Sequence, residues 1–243
     1  MGGKGFAVRF AVRFAVRLRR KGVGARSAPG TARATGRLWA RMKIYTRTGD
    51  DGTTGLLFGG RVAKDSEVIA ANGAVDEAQA ALGVVRAEVE RGSELDGLLV
   101  GLERDLYVLM AEVATAAPNR RKLKAGVSLV TAEMVAALEH RIDDLSSRFP
   151  PITDFVIPGH DRVSAGLDVA RATTRRAERA ALRVFPPGPG STPPASDPAD
   201  APAPAPPSLV VQYLNRLSDL LWTMARWQEH GDSLLSRKAD PQP

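Results

Sequence analysis

The chain of 243 residues contains no cysteine and only three histidines, His140, His160 and His230. The lack of thiols excludes a disulfide scaffold, a thiolate zinc site and a cysteine nucleophile. The histidines are far apart and in no ligand spacing, which argues against a multi-histidine metal centre. No apolar run approaches the roughly 18 residues that a membrane-spanning helix requires. Aromatic residues make up only 5% of the chain, and strand-like alternation over a useful length is missing. Acidic residues are missing altogether from residues 1–42, which hold nine Arg and two Lys, a charge of +11. The remainder carries 23 basic and 27 acidic residues, so the net charge of +7 belongs to the head and the body is mildly acidic. The overall basicity is therefore no argument for nucleic-acid binding by the body.

The head opens with Phe6-Ala7-Val8-Arg9, a tetrapeptide that recurs twice through Arg17. Residues 1–42 are expected to be a disordered basic head: a transit segment, a surface-binding arm, or sequence upstream of a true start at Met42. A second biased stretch, residues 186–208, alternates Pro and Ala and cannot supply regular helix or ladder hydrogen bonds. It reads as a solvated loop inserted between two helices. Residues 231–243 are expected to form a disordered tail, which leaves 43–230 as the folded body.

Within that body the dominant period is helical. Val75, Ala78, Leu82, Val85 and Val89 recur at alternating spacings of three and four. The same rhythm runs through Leu99, Leu102, Leu106, Leu109 and Val113, and through Val135, Leu138, Ile142, Leu145 and Phe149. A longer stripe joins Val163, Leu167, Ala170, Thr174, Ala177, Ala181 and Val184. The last, Val210, Leu214, Leu217, Leu221 and Met224, has Tyr213 beside it. Antiparallel helices bury stripes of this kind against one another. The pattern predicts an all-α bundle of four or five helices.

Three segments carry more chemistry than a bundle needs. Tyr45 to Gly55 packs glycines, hydroxyls and Asp50-Asp51 densely ahead of the first helix. Glycine lets backbone N–H groups converge on a phosphate, threonine hydroxyls add donors, and Arg47 and Lys64 could supply charge. The segment has no Gly-Lys-Ser/Thr and is no Walker loop, and the same composition also makes plain turns. On the fourth helix, Arg171, Arg175, Glu178 and Arg179 form a charged band beside the buried stripe. Such a band either binds a polyanion, since guanidinium forks match phosphate oxygens, or forms a helix–helix salt-bridge network. Phe155-Val156-Ile157-Pro158-Gly159 is an apolar loop leading into that helix. It either closes the bundle end as a hydrophobic staple or meets an apolar ligand.

Taken together these blocks resemble the PduO-type ATP:cob(I)alamin adenosyltransferases. The resemblance rests on Tyr45 to Gly55 with Lys64, on Asn72-Gly73-Ala74-Val75-Asp76-Glu77, on Phe155 to Gly159 with Arg171 to Arg179, and on Tyr213-Leu214-Asn215-Arg216-Leu217-Ser218-Asp219. They span nearly all of residues 43–230 in the family's order. The resemblance implies a five-helix bundle, a homotrimer with active sites between neighbours, and transfer of the 5′-deoxyadenosyl group of ATP to cob(I)alamin, releasing triphosphate. Cobalt(I) is itself the nucleophile, so the protein must supply positioning and charge stabilisation on the leaving group. A magnesium ion bridging phosphate oxygens fits that role, held mainly by ATP.

Carried over by position, Thr46, Arg47, Thr48, Gly49, Thr54 and Lys64 resemble the family's N-terminal ATP-binding positions. Arg171, Arg175, Glu178, Arg179 and Asn215 resemble its helical ATP contacts. Asp76 matches an acid that pairs across the subunit interface with the arginine at Arg175. Phe155 matches the aromatic residue that crowds the lower face of the corrin. The catalytic set implied is Arg175, Arg179, Phe155 and Asp76. The chain departs from the family pattern at His160-Asp161 and at Asp168, positions given no part in the chemistry. A bacterial cytoplasmic enzyme is implied, or a mitochondrial-matrix one if the head is a transit segment. A cobalamin reductase and a downstream adenosylcobalamin-dependent mutase are the implied partners, with no nucleic acid and no membrane span. A non-catalytic escort of the same fold is the alternative; it predicts erosion of the triphosphate residues, and all of them are present.

Overall fold

The computed structural model describes residues 45, 47–186 and 207–236. Thr46, the head and most of the Pro/Ala stretch lie outside the described residues, so the expectations placed on them stay with the sequence. Five helices form the body: α1 (Glu67–Glu88), α2 (Glu94–Val113), α3 (Ala132–Ser146), α4 (Arg162–Val184) and α5 (Val210–Gln228). A 3₁₀ turn (Ala117–Lys122) lies between α2 and α3. The glycine-rich segment contains a small antiparallel hairpin, β1 (Thr53–Gly55) on β2 (Arg61–Ala63), with Thr53 opposite Ala63. At three residues each, these strands are too short to show a period of two in the sequence.

Three of the five helices, α2, α3 and α4, begin at a residue whose side chain caps them;. Asp161 accepts hydrogen bonds from the Val163 and Ser164 amides (2.7 and 2.9 Å), and the Ser164 hydroxyl accepts from the Asp161 amide, a reciprocal capping box;. Ser93 caps α2 through the Asp96 amide, and Glu94 and Asp96 place negative charge at its positive end;. The α4 helix stops at Val184, two residues before Pro186, which has no N–H to continue it;.

The apolar stripes face inward. Val75, Ala78, Leu82, Leu99, Leu102, Leu106, Leu109, Leu138, Leu167, Leu214, Leu217 and Leu221 are all fully buried. Each such leucine contributes about 1.5–3 kcal/mol of burial. Val89 and Phe149, the last positions of two stripes, fall past the ends of α1 and α3 and are half-buried. Helix α5 is buried on most sides, lying along α4 and α3 and touching α2. The Tyr213 hydroxyl donates to Asp105 on α2 at 3.0 Å, and burial and that carboxylate push its own ionisation well above the usual range.

The most extensive packing joins α1 to α4 and α4 to α5. Arg176 pairs with Glu77, and Gly166 sits against Val85, so α1 and α4 run antiparallel. A Cβ at Gly166 would lie 2.9 Å from Val85 Cγ2, so glycine is what permits this approach;. The glycine-rich segment consequently sits at the end where α4 finishes. Leu57 donates to Ala114 O at the end of α2 (2.8 Å), and Arg120 lies over the Phe185 ring just past α4.

At the opposite end, residues 231–236 are not the start of a loose tail. Ile157 N donates to Leu234 O (2.8 Å) and Ser236 N to Phe155 O (2.7 Å), with an antiparallel bridge between Val156 and Leu235. The apolar loop offered unpaired backbone groups and the chain end satisfies them. Residues 237–243 lie outside the described residues.

Candidate active site

The glycine-rich segment is held open by one arginine that sequence reading passed over. Arg61, on β2, donates through Nε to Thr53 Oγ1 (2.9 Å) and through Nη2 to the Thr48 carbonyl (2.6 Å) and to Asp51 Oδ1 (3.3 Å). Asp51 in turn accepts from the Thr53 amide and hydroxyl (2.9 and 2.8 Å). Those Thr53 bonds, and after them Arg61, hold the Asp51 carboxyl below its usual range. Gly52 turns the chain at φ +80°, and its carbonyl accepts from the Lys64 amide (2.9 Å);. A Cβ at Gly49 would fall 3.0 Å from Thr53 O and 3.2 Å from Lys64 Cε, so the lysine stem lies across the bare glycine. Thr48, Gly49, Thr54 and Lys64 are thereby brought together, with Arg47 beside the Tyr45 ring at 5.6 Å. Thr46 lies outside the described residues.

On α4 the charged band has one outward face. Successive residues advance by about 100°, so Arg171, Arg175, Glu178 and Arg179 share an arc of roughly 100° and rise about 12 Å along the axis. Among the described residues the salt-bridge-network alternative fails for Arg175 and Arg179. Arg175 and Arg179 are exposed, and neither forms an ion pair among the described residues. Arg171 is paired, through Nε, with Asp168 Oδ1 at 3.0 Å. Asn215 on α5 donates to Glu178 Oε1 (3.0 Å), and Arg216 donates to Asn215 Oδ1 while bonding Glu139 on α3 (2.9 Å). That fixes the Asn215 amide beside the band.

Asp76 and Arg175 do not meet within the chain. Their sequence neighbours do: Glu77 pairs with Arg176 across α1 and α4, leaving Asp76 and Arg175 exposed. Phe155 is 81% exposed, with Ile157 and Leu234 also exposed nearby, so the loop is no staple packed into the bundle. The Lys64 segment and the Phe155 loop occupy opposite ends of α4, whose 23 residues span roughly 34 Å.

Asp168, set aside as a mere departure from pattern, lies at the centre of a buried charge cluster. Its Oδ2 accepts from Arg226 Nη2 at 2.7 Å, and the same Nη2 donates to Glu229 Oε1 at 2.8 Å. The available signals were the Asp168/Arg171 spacing of three on one helix and a lone arginine in the apolar run Leu220-Leu221-Trp222-Thr223-Met224-Ala225 before Arg226.

These features define a class: a helical bundle with exposed guanidinium groups, unpaired among the described residues, along one helix, a lysine-bearing glycine turn at one end of that helix and an exposed apolar loop at the other. The family described as cobalamin adenosyltransferase matches residues 44–228. A corrinoid adenosyltransferase of Citrobacter freundii is 40% identical over 187 residues, covering 77% of this chain and 95% of that protein. One from Mycobacterium leprae is 34% identical over 196 residues, covering 80% and 95%. A variant PduO-type ATP:corrinoid adenosyltransferase from Lactobacillus reuteri, solved with cobalamin and ATP, matches with a TM-score of 0.65 and 26% identity over 81% of this chain and 100% of that one. The chain belongs to the cobalamin adenosyltransferase family.

Proposed function

We propose that this protein transfers the 5′-deoxyadenosyl group of ATP to the cobalt of cob(I)alamin, giving adenosylcobalamin and triphosphate. The cobalt–C5′ bond forms as the C5′–oxygen bond breaks, and the electron pair of the broken bond leaves on triphosphate. The observation that carries the reading is the outward face of α4, where Arg175 and Arg179 are exposed and without an ion pair among the described residues. Guanidinium groups left free in this way are suited to the negative charge that grows on a departing triphosphate. Lys64 and the backbone of the Gly49–Gly52 turn serve the same end for the bound nucleotide. Among the described residues no cluster of three carboxylate or imidazole groups could hold a metal. A magnesium ion, when bound, would be held mainly by triphosphate oxygens and would supply charge neutralisation there. Phe155, exposed on its loop, offers an aromatic face to the corrin and keeps a lower ligand from cobalt.

The working unit is a homotrimer with the site between neighbouring copies. Two observations support this. One chain keeps its Lys64 segment and its Phe155 loop at opposite ends of α4, and Asp76 and Arg175 are both exposed without an ion pair among the described residues. A neighbour could bring the second half of the site and the missing partner of each. Thr46 belongs with the nucleotide residues. No helix among the described residues is long and apolar enough to cross a membrane. A cytoplasmic setting suits the reaction, or a mitochondrial matrix if residues 1–42 act as a transit segment. A reductase delivering cobalt(I) and a mutase consuming the product are the partners the chemistry calls for.

The test mixes the full chain with cob(I)alamin and ATP under anaerobic, reducing conditions. The absorbance change of cobalt–carbon bond formation should accompany one triphosphate per corrinoid. Binding of both substrates without triphosphate release would instead identify a non-catalytic escort.

A further inference from the structure

Two carboxylates and two guanidiniums lie in one chain of contacts between α4, α5 and the C-terminal segment. Arg226 is 1% exposed, Glu229 1% and Asp168 6%. Arg226 Nη2 bridges Asp168 Oδ2 and Glu229 Oε1, its Nε has no partner, and its guanidinium lies 5.8 Å from the Trp222 ring. The other Asp168 oxygen holds Arg171 Nε. The other Glu229 oxygen accepts from the Ser233 hydroxyl. The next residues, Leu234 and Ser236, are those bonded to the backbone of Ile157 and Phe155.

A buried charge cluster of this kind is weak evidence for stability. Desolvating charges costs several kcal/mol per ion, and well-packed apolar replacements of buried ion pairs are often neutral or stabilising. What the cluster does supply is orientation. With Nε committed to Asp168, the Arg171 guanidinium is turned so that its two Nη groups remain for a ligand, and the side chain is 32% exposed;.

We propose that Asp168 and Arg226 are positioning residues for the transfer: the buried pair aims Arg171 at the nucleotide and, through Glu229 and Ser233, fixes the 233–236 segment against the Phe155 loop. One network thereby ties a residue on the nucleotide side to the backing of the corrin side. The first half of the proposal rests on the assignment of Arg171 to ATP; the second rests on the Arg226–Glu229–Ser233 side-chain bonds and the backbone bonds of Ile157 and Ser236.

The decisive variant replaces the cluster by apolar and neutral groups in the full chain: Asp168→Leu, Arg226→Met and Glu229→Gln together. It is expected to melt within a few degrees of the parent. Its KM for ATP should rise about tenfold, as loss of one oriented, charge-assisted contact implies. Adding Arg171→Ala to it should change KM no further. Hydrogen exchange at the Ile157 and Ser236 amides should speed up, a readout independent of turnover. A triple variant that keeps the parent's ATP KM and the parent's protection at those amides overturns the proposal. Should the triple not fold, Asp168→Asn decides: a raised ATP KM with a normal melt supports the positioning role, and an unchanged KM overturns it. Arg171→Ala in the parent separates the two layers. If it leaves ATP KM unchanged, the assignment of Arg171 to the nucleotide falls, and the aiming half with it. If it raises KM while Asp168→Asn does not, only the positioning role falls.

Discussion

Two adjacent acid–arginine pairs on the same two helices should behave oppositely. Glu77 and Arg176 pair within the chain, each about half exposed, so removing either costs about 0–1 kcal/mol and nothing in assembly;. Asp76 and Arg175, one residue earlier on each helix, are exposed and unpaired among the described residues. If a neighbour completes them, assembly buries the pair partly, and its loss should cost about 2 kcal/mol per interface, below the 3–5 kcal/mol of a fully buried pair. Three interfaces in a cyclic trimer then lose about 6 kcal/mol, roughly four orders of magnitude in the association constant. Because three copies combine, the dissociation midpoint moves by roughly the square root, about a hundredfold in concentration. Sedimentation velocity across a dilution series reads this directly for Asp76→Ala, Arg175→Ala, Glu77→Ala and Arg176→Ala. Asp76→Ala and Arg175→Ala should be strongly non-additive when combined, and turnover should fall with assembly, further for Arg175→Ala if it also contacts ATP. Equal weakening by Glu77→Ala, or simple additivity of the Asp76 and Arg175 effects, would refute the reasoning and remove the main support for a site between subunits.

Arg179→Ala should leave the melting temperature within the small range of a surface change, since the exposed side chain has no ion pair among the described residues;. Turnover should nevertheless drop about 30- to 1,000-fold, and anaerobic kinetics with varied ATP would show it. Gly166→Ala drives a Cβ to 2.9 Å from the stiff Val85 side chain;. Overpacking of about 1–3 kcal/mol should outweigh the gain of about 1 kcal/mol in helix propensity, and Val85→Ala in the same chain should recover part of the melt. A chain beginning at Met42, or one with residues 187–207 shortened to a brief linker, should fold and transfer as the parent does. Asp51, whose carboxyl is held low by Thr53 and Arg61, binds its proton more weakly folded than unfolded. Its support of the turn is thus complete above the ordinary carboxylate range and lost as pH falls through the lowered value. NMR titration of the Thr53 amide should report a midpoint below that of a free aspartate, and an Asp51→Asn chain should show no such step.

Much of the molecule was decided by local sequence rules. Five apolar stripes at a period of 3.6, with Asp161-Arg162-Val163-Ser164 as a capping box and Pro186 as a stop, specify five helices, because a helix buries one face and ends where its backbone groups find other partners;. The family motifs were legible for a related reason: glycine, threonine, lysine and arginine fall close together in sequence, along one turn and one helix face. Tertiary structure decided what spacing cannot encode. The Asp168/Arg171 spacing of three is local, but the guanidinium that holds the other Asp168 oxygen comes from Arg226 on α5, which only packing brings there. Arg61 pins the glycine turn only because the hairpin folds it back over Thr48 and Thr53. The Arg226–Asp168 pair joins residues 58 apart in sequence, and residues 233–236 find the Phe155 loop only once α4 and α5 are laid side by side. Those contacts depend on the distance between elements, and packing sets that distance.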